Sequence, residues 1–266
     1  MRIRIIFSVN NRGACIPFYH QHLLEKMIRE TIASTEYKNY PYFHFSGLKG
    51  QTRTSRNGLH ICSSKVTLVL SSENEHFLKV FLQNLFTRKK INIGLLSLLP
   101  ESVEQEMLPT FTKEMKYLCI SPIALVNPVY DYFYAKKFIS PEYDIFSDLL
   151  YESTMSRMEK LGIYTEEQIS SFNKFQVVPD REYLNKIKRE DKKFARIYSI
   201  YEQNVRHELR GYVFPFTLYA AVEVQEFVYK CGLGSCTHKG FGMLDVAYTE
   251  ASNRTISYSL EEFLVS

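Results

Sequence analysis

The sequence predicts an α+β protein built from two consecutive β-α-β-β-α-β units, and three observations predict it. Alternating and 3.6-residue apolar patterns follow one another in that order over the first hundred residues. A similar order returns after residue 114, and a polar, acidic stretch at 100–106 separates the two. With 266 residues, 45% of them hydrophobic, the chain is long enough to fill two cores.

In the first half, residues 2–9 alternate Arg2, Ile3, Arg4 and Ile5 as a half-buried strand does. Residues 20–33 space Leu24, Ile28 and Ile32 four apart, which gives a helix with one buried stripe. Residues 42–48 read as a second strand and 59–71, rich in Val, Thr and Leu, as a third. Residues 75–86 set Phe77, Phe81, Leu82 and Leu85 on a helical repeat, and 91–99 supply the fourth strand.

In the second half, 115–126 is a strong strand containing Ser121-Pro122-Ile123. Helices follow at 145–161 and 166–172, then a short strand at 175–178. Residues 194–202 and 206–219 form a hairpin, 222–231 a helix, and 243–248 the closing strand. Apart from an extra strand or two this is the first order repeated. The predicted domains are therefore 1–106 and 107–266, two tandem ferredoxin-like (RRM-like) folds with a C-terminal glycine-rich loop.

Composition narrows the class. The net charge of +4 is compatible with a polyanionic partner without requiring one. Nineteen Tyr and nineteen Phe supply flat faces that pack in a core or stack on bases. Five cysteines, odd in number and without a C-x-x-C pair, suit reduced thiols and a cytoplasmic location. The N-terminus alternates charged and apolar residues, unlike a signal peptide, and no apolar run reaches membrane-spanning length. Neither H-E-x-x-H, Cys/His ligand spacing nor G-x-S-x-G is present, so no metal, cofactor or serine nucleophile is expected.

Between the last helix and the last strand the chain reads Gly232-Leu233-Gly234-Ser235-Cys236-Thr237-His238-Lys239-Gly240-Phe241-Gly242. Glycine permits positive φ and close backbone approach, and successive N–H groups in such turns can converge on an anion. Gly240 opens a strand, where a P-loop would open a helix, and the G-x-G-x-x-G fingerprint fails in both spacing and place.

This loop resembles the C-terminal G-φ-G-x5-G-φ-G loop of the CRISPR-associated repeat-RNA endoribonucleases, the "Cas six" family. Tyr19-His20-Gln21, Phe43-His44-Phe45-Ser46-Gly47-Leu48 and Leu118-Cys119-Ile120-Ser121-Pro122-Ile123 are similar to further family segments in the same order. The resemblance thus covers most of the chain. It implies metal-independent cleavage of precursor crRNA: a ribose 2′-OH attacks the adjacent phosphorus and leaves a 2′,3′-cyclic phosphate. It also implies CRISPR repeat RNA in a cleft between the two domains, with Gly232, Gly234, His238, Lys239, Gly240 and Gly242 on one wall. Other CRISPR effector subunits and a second copy of the chain are further partners it allows. The alternative is the same fold without activity, holding crRNA inside an effector complex.

Such chemistry needs a group titrating near neutrality and cations facing the phosphate oxygens. The family's base usually sits between the first helix and the second strand, where this chain has only Thr35-Glu36-Tyr37-Lys38-Asn39-Tyr40-Pro41. The role could pass to His44, to His22, or to Tyr37 and Lys38 without an imidazole. Alternation places His44 opposite Phe43 and Phe45, hence on the open face of the sheet near Lys49, Arg53 and Arg56. Helical spacing puts His22 with Lys26 and Arg29 on a polar face, whereas His20 shares the stripe of Leu24 and Ile28 and reads as near-core. Lys49 and Arg29 are the expected phosphate stabilisers, and Arg53 and Arg56, in a hairpin rich in hydroxyls, the expected RNA contacts. His76, beside Glu73 and Glu75 where a helix begins, reads as surface, with the acids balancing the helix dipole. The run Lys186, Lys188, Arg189, Lys192, Lys193 and Arg196 reads as a solvated face first and an RNA contact second.

Overall fold

The computed structural model describes residues 1–126, 137–202 and 205–259, without the side chains of 251 and 252. They fall into two compact units: one of Met1–Met107 with His238–Gly240 and the chain from Arg254, the other of Leu108–Thr237 with Phe241–Asn253.

In the first unit the elements are β1 (Arg2–Val9), β2 (Cys15–Ile16), α1 (Gln21–Thr31), β3 (Phe43–Phe45), β4 (Thr52–Ser55) and β5 (Gly58–Ile61). They continue with β6 (Lys65–Ser72), α2 (Glu75–Phe86), β7 (Ile91–Ile93) and β8 (Leu96–Glu106). The main sheet runs β8-β1-β6-β3, all antiparallel, the ferredoxin-like order for strands of a β-α-β-β-α-β chain. Alternation along β1 buries Ile3, Ile5 and Phe7 in one core with Leu68 and Leu70 of β6, Leu24 and Ile28 of α1, and Phe77 and Phe81 of α2.

Two expectations change here. The predicted third strand, 59–71, is instead a hairpin arm followed by a separate strand: β4, β5 and β2 form their own small sheet before β6 begins. Gly58 makes the turn possible, at φ +146° with a Cβ position 2.1 Å from the Ile16 carbonyl oxygen. Residues 100–106 are strand, not linker. Their acidity answers the basic strands beside them: Glu106 pairs with Arg2 at 2.6 Å, Glu104 with Arg4 at 3.3 Å, and Glu101 with Lys65. Pro100 is tolerated because the β1–β8 register shifts at that point.

The second unit comprises β9 (Glu114–Cys119), β10 (Ile123–Ala124), α3 (Asp144–Leu161), α4 (Glu166–Ser171), β11 (Phe175–Pro179) and α5 (Arg181–Arg189). Then come β12 (Ala195–Glu202), β13 (Val205–Tyr212), β14 (Phe216–Ala220), α6 (Val222–Cys231) and β15 (Leu244–Val246). Its sheet β11-β14-β9-β15 has the same strand arrangement as the first, with α3 and α6 as its two crossover helices. A second sheet, β10-β13-β12, is the added part.

The predicted strand 115–126 divides between these two sheets. The break falls at Ser121-Pro122, where proline offers no N–H and Ser121 Oγ accepts from the Met243 N–H at 2.8 Å. The predicted arm 206–219 likewise divides at Pro215 into β13 and β14. Helix α5 escaped the apolar pattern because it buries only Leu184; Asp180 caps it, accepting from the Tyr183 N–H at 2.9 Å. A short strand, Thr255–Ser257, pairs with β8, so the described end of the chain belongs to the first unit although the predicted boundary gave it to the second. Among the described residues, no helix is long and apolar enough to cross a membrane.

Candidate functional site

All four loop glycines hold positive φ: Gly232 at 80°, Gly234 and Gly240 at 84°, Gly242 at 72°. The reason is packing. A Cβ on Gly234 would lie 2.5 Å from the Ala124 carbonyl oxygen, and one on Gly242 would lie 2.0 Å from that of Leu233. Three of the loop's N–H groups are bonded within the protein and so are not offered to an anion. Leu233 donates to Gly242 O at 2.8 Å, Ser235 to Ala124 O at 2.9 Å and Gly242 to Pro122 O at 2.7 Å. From α3, Arg157 donates to the carbonyls of Cys231, Gly232 (2.8 Å) and Gly234 (3.1 Å), with its guanidinium 5.3 Å from the Phe227 ring centre. Burial pushes the Arg157 pKa down, but arginine stays cationic in proteins. Gly232, Gly234, Gly240, Gly242 and Lys239 are buried, while His238 and Ser235 are partly exposed.

The histidines sort by enclosure. His44 does not face open solvent, as its place on β3 suggested. It is fully buried, in register with Ser71 of β6, which in turn pairs with Arg2 of β1. The face opposite the Phe43/Phe45 pair is thus a covered polar layer, with Arg2, His44, Ser46, Ser71 and Glu106 all buried. A ribose hydroxyl cannot reach an imidazole so enclosed. His20 is near-core as expected. Its Nε2 accepts from the Leu48 N–H at 3.0 Å, so Nδ1 carries the proton and donates to Pro17 O at 3.2 Å. Burial lowers its pKa and, with it, that of half-buried His22, whose Nδ1 lies 3.1 Å from Tyr19 O. His60 spends both ring nitrogens on Gly13 O (2.9 Å) and Ser55 Oγ (3.1 Å), bracing the hairpin.

Arg29 is also differently employed. It donates to Tyr40 O at 2.7 Å and lies 4.8 Å over the Phe43 ring, which ties α1 to the loop before β3. Burial is the larger influence on its pKa and lowers it. Lys49, Arg53 and Arg56 are exposed as expected, the last two on the β4–β5 hairpin. Lys49 also borders a shallow depression of about 620 Å³ with Arg12, Lys65, Gln51, Ser63 and Thr67. Cations and hydroxyls in that mixture suit a sugar–phosphate chain.

The family model described as CRISPR associated protein Cas6, C-terminal, matches residues 103–246, a span that includes the Ser121-Pro122 break and the whole glycine loop. The chain belongs to the Cas6 family. It is 26% identical over 263 residues to the CRISPR-associated endoribonuclease Cas6 1 of Methanocaldococcus jannaschii, with 92% of each chain covered. Its fold is similar to that of the product of a Cas6-related gene from Pyrococcus furiosus, at TM-score 0.75 and 20% identity over 94% of this chain and 99% of that one. A RAMP protein binding different RNA substrates is similar at TM-score 0.73 and 20% identity, covering 92% and 99%.

Two features of this Cas6 chain, the role of Arg157 and the pairing of Tyr37 with His76, were not read from the sequence. Arg157 falls on the stripe of Leu150, Ser153 and Thr154, and a cation repeating with buried positions of α3 was the available signal. The other is a contact of high sequence separation. The Tyr37 hydroxyl and His76 Nδ1 are 2.8 Å apart, with Glu36 Oε1 3.7 Å from the same nitrogen. No local pattern could have joined the loop before β3 to the first turn of α2.

Proposed function

We propose that this Cas6 protein binds CRISPR repeat RNA and cuts the precursor without metal, by attack of a ribose 2′-hydroxyl on the adjacent phosphorus, leaving a 2′,3′-cyclic phosphate. The likeness to an endoribonuclease across 92% of both chains carries this reading. Lys49, Arg53 and Arg56 neutralise phosphates along the strand, and the hairpin hydroxyls of Thr52 and Thr54 reach sugar and phosphate oxygens. His238, partly exposed in the glycine loop, is a further RNA contact, while the buried glycines act by shaping the loop.

The test is incubation of the cognate repeat RNA with purified protein in EDTA. One cut ending in a cyclic phosphate supports the reading. Salt-sensitive binding with no cut overturns the nuclease and leaves a crRNA-holding subunit, the reading that the enclosure of His44 favours. Absence of any salt-dependent affinity overturns both, because phosphate contacts must release counterions.

A further inference from the structure

We infer that His76 and Tyr37 are the proton-transfer pair of the cleavage step, an inference that rests on the nuclease reading above. The pair is built from two separate segments. Tyr37 lies in the turns after α1, and His76 in the first turn of α2. Their polar atoms are 2.8 Å apart at the surface, where the His76 side chain is 65% exposed. A substrate can therefore reach the imidazole, which it cannot do at His44.

The phenol is held still. The Tyr37 ring meets Tyr40, Phe77 and His76 with centroids 5.5, 5.5 and 5.8 Å away, and the Tyr37 N–H donates to Thr35 Oγ1 at 3.1 Å. Arg29 fixes the same loop through the Tyr40 carbonyl, which makes it a positioning residue. On the other side Asn74 caps α2 through the Phe77 N–H at 3.0 Å and turns its amide nitrogen to the Tyr37 hydroxyl at 3.5 Å. With His76 Nδ1–H and the Asn74 amide both donating to the phenol oxygen, Nε2 carries no proton and the phenol keeps its own for the substrate. The charged groups of the two meeting segments are Glu36, Lys38, Glu73, Glu75 and Lys79. Glu36, 3.7 Å from Nδ1, stabilises the imidazolium as it forms.

The step balances within the pair. His76 Nε2 takes the proton of the 2′-hydroxyl as the 2′-oxygen bonds to phosphorus. The bond from phosphorus to the 5′-oxygen breaks, and Tyr37 gives its phenol proton to that oxygen. The imidazolium then gives its Nδ1 proton to the phenolate, which leaves both groups neutral, and exchange with water at the exposed ring restores the starting tautomer.

The test compares wild type, His76→Ala, Tyr37→Phe, the double variant and His22→Ala under single-turnover conditions with saturating protein and cognate repeat RNA in EDTA. Filter binding and thermal melts accompany each. Both single variants should cut about 100-fold more slowly, with RNA affinity and melting temperature close to wild type. The double variant should be little slower than the worse single one, as members of one unit are not additive. If wild type cuts and both variants keep pace with it, or if only His22→Ala loses cleavage, this inference falls and the nuclease reading stands. If wild type binds repeat RNA and never cuts, both fall.

Discussion

Arg157 Nη1 donates to the Gly232 carbonyl at 2.8 Å, so a helix far away in sequence closes the C-terminal end of α6 and starts the glycine loop. Two more carbonyls, of Cys231 and Gly234, share that guanidinium. Removing it leaves three carbonyls without this donor in a buried setting. Arg157→Met should cost about 3 kcal/mol or more, lowering the melting temperature by roughly 6–12 °C. Arg157→Lys should recover only part, because an ammonium lacks the planar fork. Calorimetry of the three proteins decides it.

Two glycines should respond very differently to alanine. Gly242→Ala combines a left-handed backbone with a Cβ 2.0 Å from a carbonyl oxygen, and should lose about 3 kcal/mol or more. Gly162, at φ +72° after α3, has nothing within 4 Å of its Cβ position, so Gly162→Ala should lose only about 1 kcal/mol. Equal losses in urea titrations would refute packing as the reason for the loop glycines.

Acid should weaken the fold through His20. Its neutral ring is required by the Leu48 N–H, and burial lowers its pKa below the ordinary value of 6.5. Below that value the unfolded chain takes up a proton that the folded chain refuses, so stability falls as pH drops and is fully retained above it. Each such histidine contributes up to about 1.4 kcal/mol per pH unit, and His22 acts in the same direction. Melting curves from pH 8 to 5 should slope less for His20→Gln than for wild type, even though the variant is weaker at pH 8.

RNA affinity should depend on the β4–β5 hairpin without the fold depending on it. Arg53→Ala and Arg56→Ala should each flatten the plot of log affinity against log salt by about 0.7–0.9. Their melting temperatures should match wild type, because both side chains are exposed. An unchanged salt slope would remove the hairpin from the RNA path.

The two ferredoxin-like orders were legible because Ile3, Ile5 and Phe7, or Leu24 and Ile28, repeat at periods that name their elements. Residues 100–106 of strand β8 were not, because a strand whose polar residues are paired across the sheet looks like a solvated link when read alone. Glu106 against Arg2 is a two-body fact. The same limit governed the site. Alternation placed His44 correctly opposite Phe43 and Phe45, yet alternation says nothing about whether the second face is covered. The hairpin that carries Arg53 and Arg56 needed only local turn chemistry to be read, and both side chains are exposed on it. Tyr37 and His76, 39 positions apart, needed the fold.

The backbone of the glycine loop also bears on how this family is to be compared. Where a side chain would strike a carbonyl oxygen at 2.0 or 2.5 Å, selection has no alternative residue to sample, whatever the loop binds. Invariance of Gly234 and Gly242 among relatives would therefore record stereochemistry. Shifts in target preference should be sought instead along the exposed β4–β5 hairpin, at Arg53 and Arg56.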